Sequence, residues 1–257
     1  MTKIITIANK KGGVGKTTTT FHLACTLAMK GLKTCMIDTD YNQANLSQCF
    51  FNDEELPKDH LGEVILERIE IEDAVYQVRE NLWLVPINDS NGEEVETRWN
   101  SVRMREFLLK KKIDRIKKNF DVILIDTPPT NTLVQDNALM AANGFIIVVK
   151  PSYFSNRGLD KMLRSAEQSL EENPDLEFLG ILFNEYNQRQ KGNYKRKQLD
   201  IIRNSGNPVF DTILRVDVRL DQGAAEKKSI HDYPVGEGEN GKADFLSIYD
   251  EIKEKIG

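Results

Sequence analysis

Short apolar runs and longer helical periods alternate along the whole chain. Ile4–Ala8, Thr34–Ile37, Asp121–Ile125, Gly144–Val149 and Phe178–Phe183 are brief, rich in aliphatic residues and free of polar alternation. That pattern predicts strands covered on both faces, as in a parallel sheet. Leu82–Ile87 and Val209–Leu214 predict two more strands, with Pro86 placing the end of the first near an edge. Helical spacing fills the gaps. Thr18–Lys30 sets Phe21, Ala24, Cys25 and Ala28 on one face, and Gly31 is its stop. Val102–Lys118 turns Phe107, Leu108, Ile113 and Ile116 inward and its basic residues outward. Leu133–Ala142, Leu159–Leu170, Tyr194–Asn204 and Ala243–Ile256 predict further helices, the last with a broad apolar face. Leu61–Ile69 has helical spacing, Glu72–Val78 reads as a second short helix, and Arg219–Glu226 as a short helix or turn. Asn88–Asn100, residues 185–194 and His231–Gly241 read as loops. Alternating strands and helices predict an α/β fold, with a mostly parallel twisted sheet of about seven to eight strands and helices on both faces.

Composition narrows this little. The chain has 257 residues, 40% hydrophobic and 29% charged, which fits a single domain over residues 1–257. No apolar run reaches the roughly 18–20 residues that span a bilayer. The first residues open directly into a strand, so no signal peptide is expected and the predicted location is cytoplasmic. Cys25, Cys35 and Cys49 lack metal-type spacing and read as buried, reduced thiols. Net charge is −5, yet it is unevenly spread. Residues 53–97 hold fourteen acids and three bases, residues 103–118 eight bases and two acids, and residues 189–203 six bases and one acid. Two basic segments therefore stand out from an acidic total.

The strongest chemical signal is Lys10-Lys11-Gly12-Gly13-Val14-Gly15-Lys16-Thr17-Thr18, between the first strand and the first helix. A strand, a glycine-rich loop and a helix in that order form a phosphate cradle, whose backbone N–H groups and helix dipole attract an anion. Lys16 is placed to reach the outer phosphates, and the Thr17 hydroxyl suits Mg²⁺. Four consecutive threonines open the helix although they are poor helix formers, a conflict expected at a functional position. The usual GxxxxGK[ST] pattern fails at its first glycine, where Lys10 stands.

This deviant loop, with Lys11 near its start, resembles the ParA/MinD group of P-loop ATPases, and the ParA (Soj) branch in particular. Asp38-Thr39-Asp40, Asp126-Thr127-Pro128-Pro129 and Asn184, each at a strand end, extend the resemblance along nearly the whole chain. It implies that ATP and Mg²⁺ are bound, with Gly12, Gly13, Val14, Gly15, Lys16, Thr17 and Thr18 around the phosphates and Thr18 at the α-phosphate. It implies that Lys11 crosses to the nucleotide of a second copy, giving an ATP-sandwiched homodimer. Lys11, Lys16 and Asp40 are then the catalytic set, with Asp40 orienting or deprotonating the attacking water. Thr17, Asp38 and Asp126 belong to the Mg²⁺ shell, and Asn184 and Arg215 to the base. The family's Asp-x-Asp-Pro-Gln is departed from: Asp40-Tyr41-Asn42-Gln43 lacks the proline and has one residue more.

The resemblance further implies ATP-dependent DNA partition, in which the dimer binds double-stranded DNA without sequence preference and is nucleoid-associated. Arg189, Lys191, Lys195, Arg196, Lys197 and Arg203 are the expected DNA surface, and Lys110, Lys111, Lys112, Lys117 and Lys118 compete with it. A ParB-type partner would stimulate slow hydrolysis, and the acidic segment 53–97 is its expected docking surface. No helix-turn-helix precedes the loop. The rival reading is a ParA-like ATPase positioning a cargo other than DNA. A MinD-like membrane role needs a basic amphipathic tail, whereas Asp244, Asp250, Glu251 and Glu254 make the last helix acidic. Iron–sulfur relatives need late cysteines, and none follows Cys49. A metabolic P-loop ligase leaves Lys11 unexplained.

Overall fold

The computed structural model describes residues 1–88, 90–129, 132–150, 163–164, 167–186 and 193–256. Its strands are β1 (Lys3–Ala8), β2 (Thr34–Asp38), β3 (Tyr76–Arg79), β4 (Leu82–Val85), β5 (Val122–Asp126), β6 (Gly144–Val149), β7 (Glu177–Tyr186) and β8 (Val209–Arg215). Among the described residues they form one eight-stranded sheet in the order β3-β4-β2-β5-β1-β6-β7-β8. Every pairing is parallel except β3 with β4, so an α/β sheet of the expected kind is present.

The helices are α1 (Lys16–Met29), α2 (Asn45–Gln48), α3 (Leu61–Ile65), α4 (Gly92–Ser101), α5 (Leu108–Ile116), α6 (Thr132–Ala141), α7 (Asn193–Arg203), α8 (Val218–Glu226) and α9 (Glu239–Ile256). Each apolar strand divides its side chains between two cores by its period of two. On β5, Ile123 and Ile125 face the cluster built with α3 to α7. Val122 and Leu124 face the cluster built with α1, α2, α8 and α9. Burial on both faces explains why these strands lack polar alternation.

Several sequence expectations are corrected. Residues 72–78 are not a helix: a 3-10 turn at Ile71–Ala74 leads into β3, the antiparallel edge strand. Tyr76, Val78 and Arg79 are half-buried and Gln77 is exposed, and Asn81 makes the tight turn to β4 at φ 54°. Residues 88–100 are not a loop throughout, because α4 occupies Gly92–Ser101. Val95 and Trp99, one helical turn apart, carry its whole buried face. The helix expected from Val102 begins at Leu108, since Met104 takes a left-handed conformation (φ 56°) before a short 3-10 turn. The last helix begins at Glu239, inside the expected loop. Of the helix expected over 159–170, residues 163–164 and 167–170 are helical and the remainder lies outside the described residues.

Sheet order decides where the site falls. β1 sits between β5 and β6, and β2 beside β5, so the carboxyl ends of β1, β2 and β5 converge. Ligands of open α/β sheets bind at such ends.

Candidate nucleotide site

The loop after β1 is fixed before it reaches the phosphate position. The Asn9 side-chain amide donates to the Val148 carbonyl at 2.6 Å and its oxygen accepts from the Lys11 N–H at 2.9 Å. Gly13 (φ 67°) and Gly15 (φ 95°) take left-handed conformations that favour glycine. Gly15 is also the N-cap of α1 and offers no side-chain cap, which leaves the first N–H groups of the helix for an anion. A side chain there would also collide with Asn184, whose amide nitrogen lies 2.0 Å from the position of a Cβ. That amide donates to the Val14 carbonyl at 2.8 Å, so the end of β7 supports the loop from below.

A cleft of about 760 Å³ opens over this loop, lined by Gly12, Gly13, Gly15, Lys16, Thr17 and Thr18, with Asp40 and Gln43 on one wall and Leu220, Ala224 and Lys227 on another. Lys16 is 6% exposed. Burial lowers its pKa, against the pull of Asp126 and Asp40. Its ammonium reaches the Lys11 carbonyl at 3.4 Å, a long contact.

Asp126 is buried at the end of β5 and accepts from the hydroxyls of Thr17 (2.7 Å) and Thr20 (3.2 Å). Asp38 ends β2 directly opposite it in the parallel register. The Asp38 carboxylate accepts from the Ser47 N–H and hydroxyl, both at 2.8 Å, and from the Asp40 N–H at 3.1 Å. Burial pushes Asp38 up to about 7, with Asp126 raising it further. Burial also pushes Asp126 up to about 6, against Thr17, Lys16 and Thr20. Asp40 is 5% exposed. Its pKa is raised by burial and opposed by the N–H groups of Asn42 and Gln43.

The donor set fits Mg²⁺. Two buried carboxylates in register beside a threonine hydroxyl are hard oxygen donors. Two like charges so enclosed call for a cation. Because Thr17 donates its proton to Asp126, its oxygen lone pairs are left for a metal.

The remaining expected residues are scattered. Lys11 is exposed at the loop's edge. Arg215 ends β8 and is engaged by Asp244, with its Nη2 at 2.6 Å and its Nε at 2.9 Å from the carboxylate. Arg189 and Lys191 lie outside the described residues, Lys195 and Arg196 fall on α7, and Lys197 and Arg203 are exposed there. In the acidic segment, Arg68 pairs with Glu63 and Glu94, Arg98 with Glu67, and Arg115 with Glu70 and Glu72. Asn9 and Ser47 were not found by sequence reasoning, and Thr20 was marked only as one of the four threonines that open α1, without its carboxylate partner. Their partners are distant in sequence or, for Ser47, beyond a helical repeat, and only the Asx-type contact of Asn9 to Lys11 left a local signal.

A family model described as an AAA domain matches residues 2–178. An uncharacterized protein of Methanocaldococcus jannaschii is 38% identical over 201 residues, covering 75% of this chain and 77% of its own length. The sporulation initiation inhibitor protein Soj of Bacillus subtilis is 29% identical over 245 residues, covering 90% of each. Among solved structures, apo McdA of Cyanothece superposes with a TM-score of 0.83 at 26% identity over the full length of both chains. Cobyrinic acid a,c-diamide synthase of Mycobacterium smegmatis, with a bound ATP analog and magnesium, superposes with a TM-score of 0.77 at 28% identity, covering 88% of this chain and 92% of that one. With the P-loop, the paired carboxylates and these relatives in agreement, the chain belongs to the ParA/MinD/Soj superfamily of deviant Walker A P-loop ATPases and uses ATP and Mg²⁺.

Proposed function

We propose that the protein is a positioning ATPase, switched on by ATP-dependent pairing of two copies and switched off by hydrolysis. The observation that carries this reading is Asp40. A nearly buried carboxylate with a raised pKa lines the same cleft as Lys16 and Thr17. A carboxylate held in that cleft beside the phosphate loop is placed to accept a proton from water, and burial makes it the stronger base.

Each residue then has a task. The loop N–H groups and Lys16 bind the phosphate oxygens, and Lys16 offsets the charge that builds as the terminal phosphoryl group leaves. Asp126 orients the Thr17 hydroxyl, and Asp38 and Asp126 hold the metal side of the site. Mg²⁺, when bound, supplies charge neutralisation on the phosphates. Asp40 orients the attacking water and takes its proton. The exposed Lys11 supplies positive charge to a second copy, where two polyphosphates face each other.

Partition of DNA is the specific form of this function that α7 supports through Lys195, Arg196, Lys197 and Arg203. Arg203 also donates to the Asp211 carbonyl at 3.3 Å, so only part of its guanidinium is left for phosphate. Positioning of a cargo other than DNA is the rival form. Duplex retention with ATP, with ADP and without nucleotide separates the two. ATP-dependent retention supports partition; retention in none of the three, with ATP still hydrolysed, overturns it. No helix among the described residues is long and apolar enough to cross a membrane.

A further inference from the structure

The segment between β2 and α2 runs Asp40-Tyr41-Asn42-Gln43-Ala44. Asp40, Tyr41 and Ala44 are buried, whereas Asn42 and Gln43 are exposed. Backbone bonds close the segment on Asp40: its carbonyl accepts from the N–H groups of Gln43 (3.2 Å) and Ala44 (2.8 Å). The Asp40 carboxylate accepts from the Asn42 N–H at 3.3 Å. Ala44 completes the turn at φ 49°, left-handed although it is not glycine. Asp40 and the turn therefore move as one body.

Tyr41 ties that body to the rest of the molecule. It is 2% exposed and shares a core cluster with Val95 and Trp99 of α4. The Tyr41 and Trp99 ring centroids lie 6.2 Å apart at 35°. Gly92 starts α4 so close that a Cβ would sit 3.2 Å from the Tyr41 carbonyl oxygen. The Trp99 indole N–H finds no hydrogen-bond partner among the described residues, so packing holds the ring pair together.

We propose that Tyr41 is a positioning residue for hydrolysis: its ring, seated on Trp99 of α4, fixes where the Asp40 carboxylate stands. The proposal rests on the reading of Asp40 given above. At this place the resemblance leads one to expect proline, which fixes φ covalently. Here no proline follows Asp40, and a buried aromatic side chain fixes the path instead. The phosphate-binding loop is anchored separately, through Asn9 and Asn184, so the two functions separate on mutation.

Steady-state ATP hydrolysis, equilibrium binding of a fluorescent ATP analogue and amide hydrogen exchange are measured for Tyr41→Ala, Tyr41→Phe and Asp40→Asn. Tyr41→Ala lowers kcat by about tenfold or more, because misplacement of a catalytic group by ~1 Å carries a penalty of up to ~100-fold. KM and analogue affinity stay within about threefold, as expected when the interaction removed is made only in the transition state. Exchange at Gln43 and Ala44 accelerates, and Tyr41→Phe, which keeps the ring on Trp99, retains more of both rate and protection than Tyr41→Ala. Tyr41→Leu, which keeps apolar bulk without the ring, carries the same test if the alanine variant does not fold. An unchanged kcat in Tyr41→Ala beside an inactive Asp40→Asn overturns the proposal alone. So does equal loss of kcat and affinity, or a Phe variant as impaired as Ala. Normal turnover in Asp40→Asn overturns the reading of Asp40 and the proposal with it.

Discussion

Asp38 and Asp126 face each other across β2 and β5, where neither gains from water. With Asp38 at about 7 and Asp126 at about 6, both stand above the unfolded value of ~3.9. The sign follows from linkage. A carboxylate raised in the folded state favours the fold below its unfolded pKa, and that contribution is lost as pH rises through the folded value. The ligand-free protein therefore gives up stability between about pH 4 and pH 7 at these two sites, by at most ~1.4 kcal/mol per unit each. A divalent cation offsets this cost, so thermal scans should show a larger stabilisation by Mg²⁺ with ADP at pH 8 than at pH 5.5. Asp126→Asn should raise the ligand-free melting temperature at pH 8 and abolish most of the Mg²⁺-dependent shift. An unchanged shift would remove Asp126 from the metal side of the site. Lys16→Ala should weaken ATP binding by ~100-fold or more, since its ammonium is the buried cation of the phosphate-loop cleft, and titration with a fluorescent analogue checks it. At this scale the chemistry was legible because acids ending apolar strands are conspicuous. Ser47 was not, since a hydroxyl on a helix announces nothing until the fold brings it to a carboxylate.

α1 shows how an element can be held by one side chain. His22 is fully buried, its Nε2 is 3.0 Å from the Leu220 carbonyl, and its Nδ1 accepts from the Ile230 N–H at 3.1 Å. Those partners require the neutral tautomer with the proton on Nε2. Burial lowers its pKa to about 4, from an ordinary ~6.5. A histidine depressed in this way stabilises the fold above the unfolded pKa and loses that contribution as pH falls toward the folded value. The stability advantage of wild type over His22→Gln should therefore shrink between about pH 6.5 and pH 4, by up to ~1.4 kcal/mol per unit. Urea unfolding at pH 7 and pH 4.5 measures it, and a widening gap would mean a charged imidazole. Elements with dense periodicity, such as α1, α9 and the apolar strands, were legible from sequence. α4 was not, because only Val95 and Trp99 mark its buried face within a polar run. β3 was missed because four residues carry too little period to separate strand from helix.

For the whole molecule, the sum of charges misleads. Arg68, Arg98 and Arg115 take up five carboxylates of the acidic stretch, although such exposed pairs add little stability. They also draw Arg115 of α5 out of its basic segment. Replacing Lys195, Arg196 and Lys197 by Glu should weaken duplex binding and flatten its salt dependence, by ~0.9 in log–log slope for each phosphate no longer neutralised. Dimerisation should survive. An unchanged slope would take DNA off α7. The parallel core strands, the helices between them and the place of the phosphate loop followed from sequence, apart from β3 and α4, because parallel sheets write their topology as alternation. Which carboxylates are already spent on the chain's own arginines did not, since those pairs join segments up to 45 residues apart (Glu70 to Arg115).

In the proposed switch, one copy does not complete its own nucleotide site. Sedimentation velocity with Mg²⁺ and a non-hydrolysable ATP analogue, against Mg²⁺ with ADP, tests this directly. The expected result is a dimer with the ATP analogue, a monomer with ADP, and a monomer in both for Lys11→Ala with ATP-analogue binding retained. A wild-type protein that stays monomeric with saturating ATP analogue would contradict it.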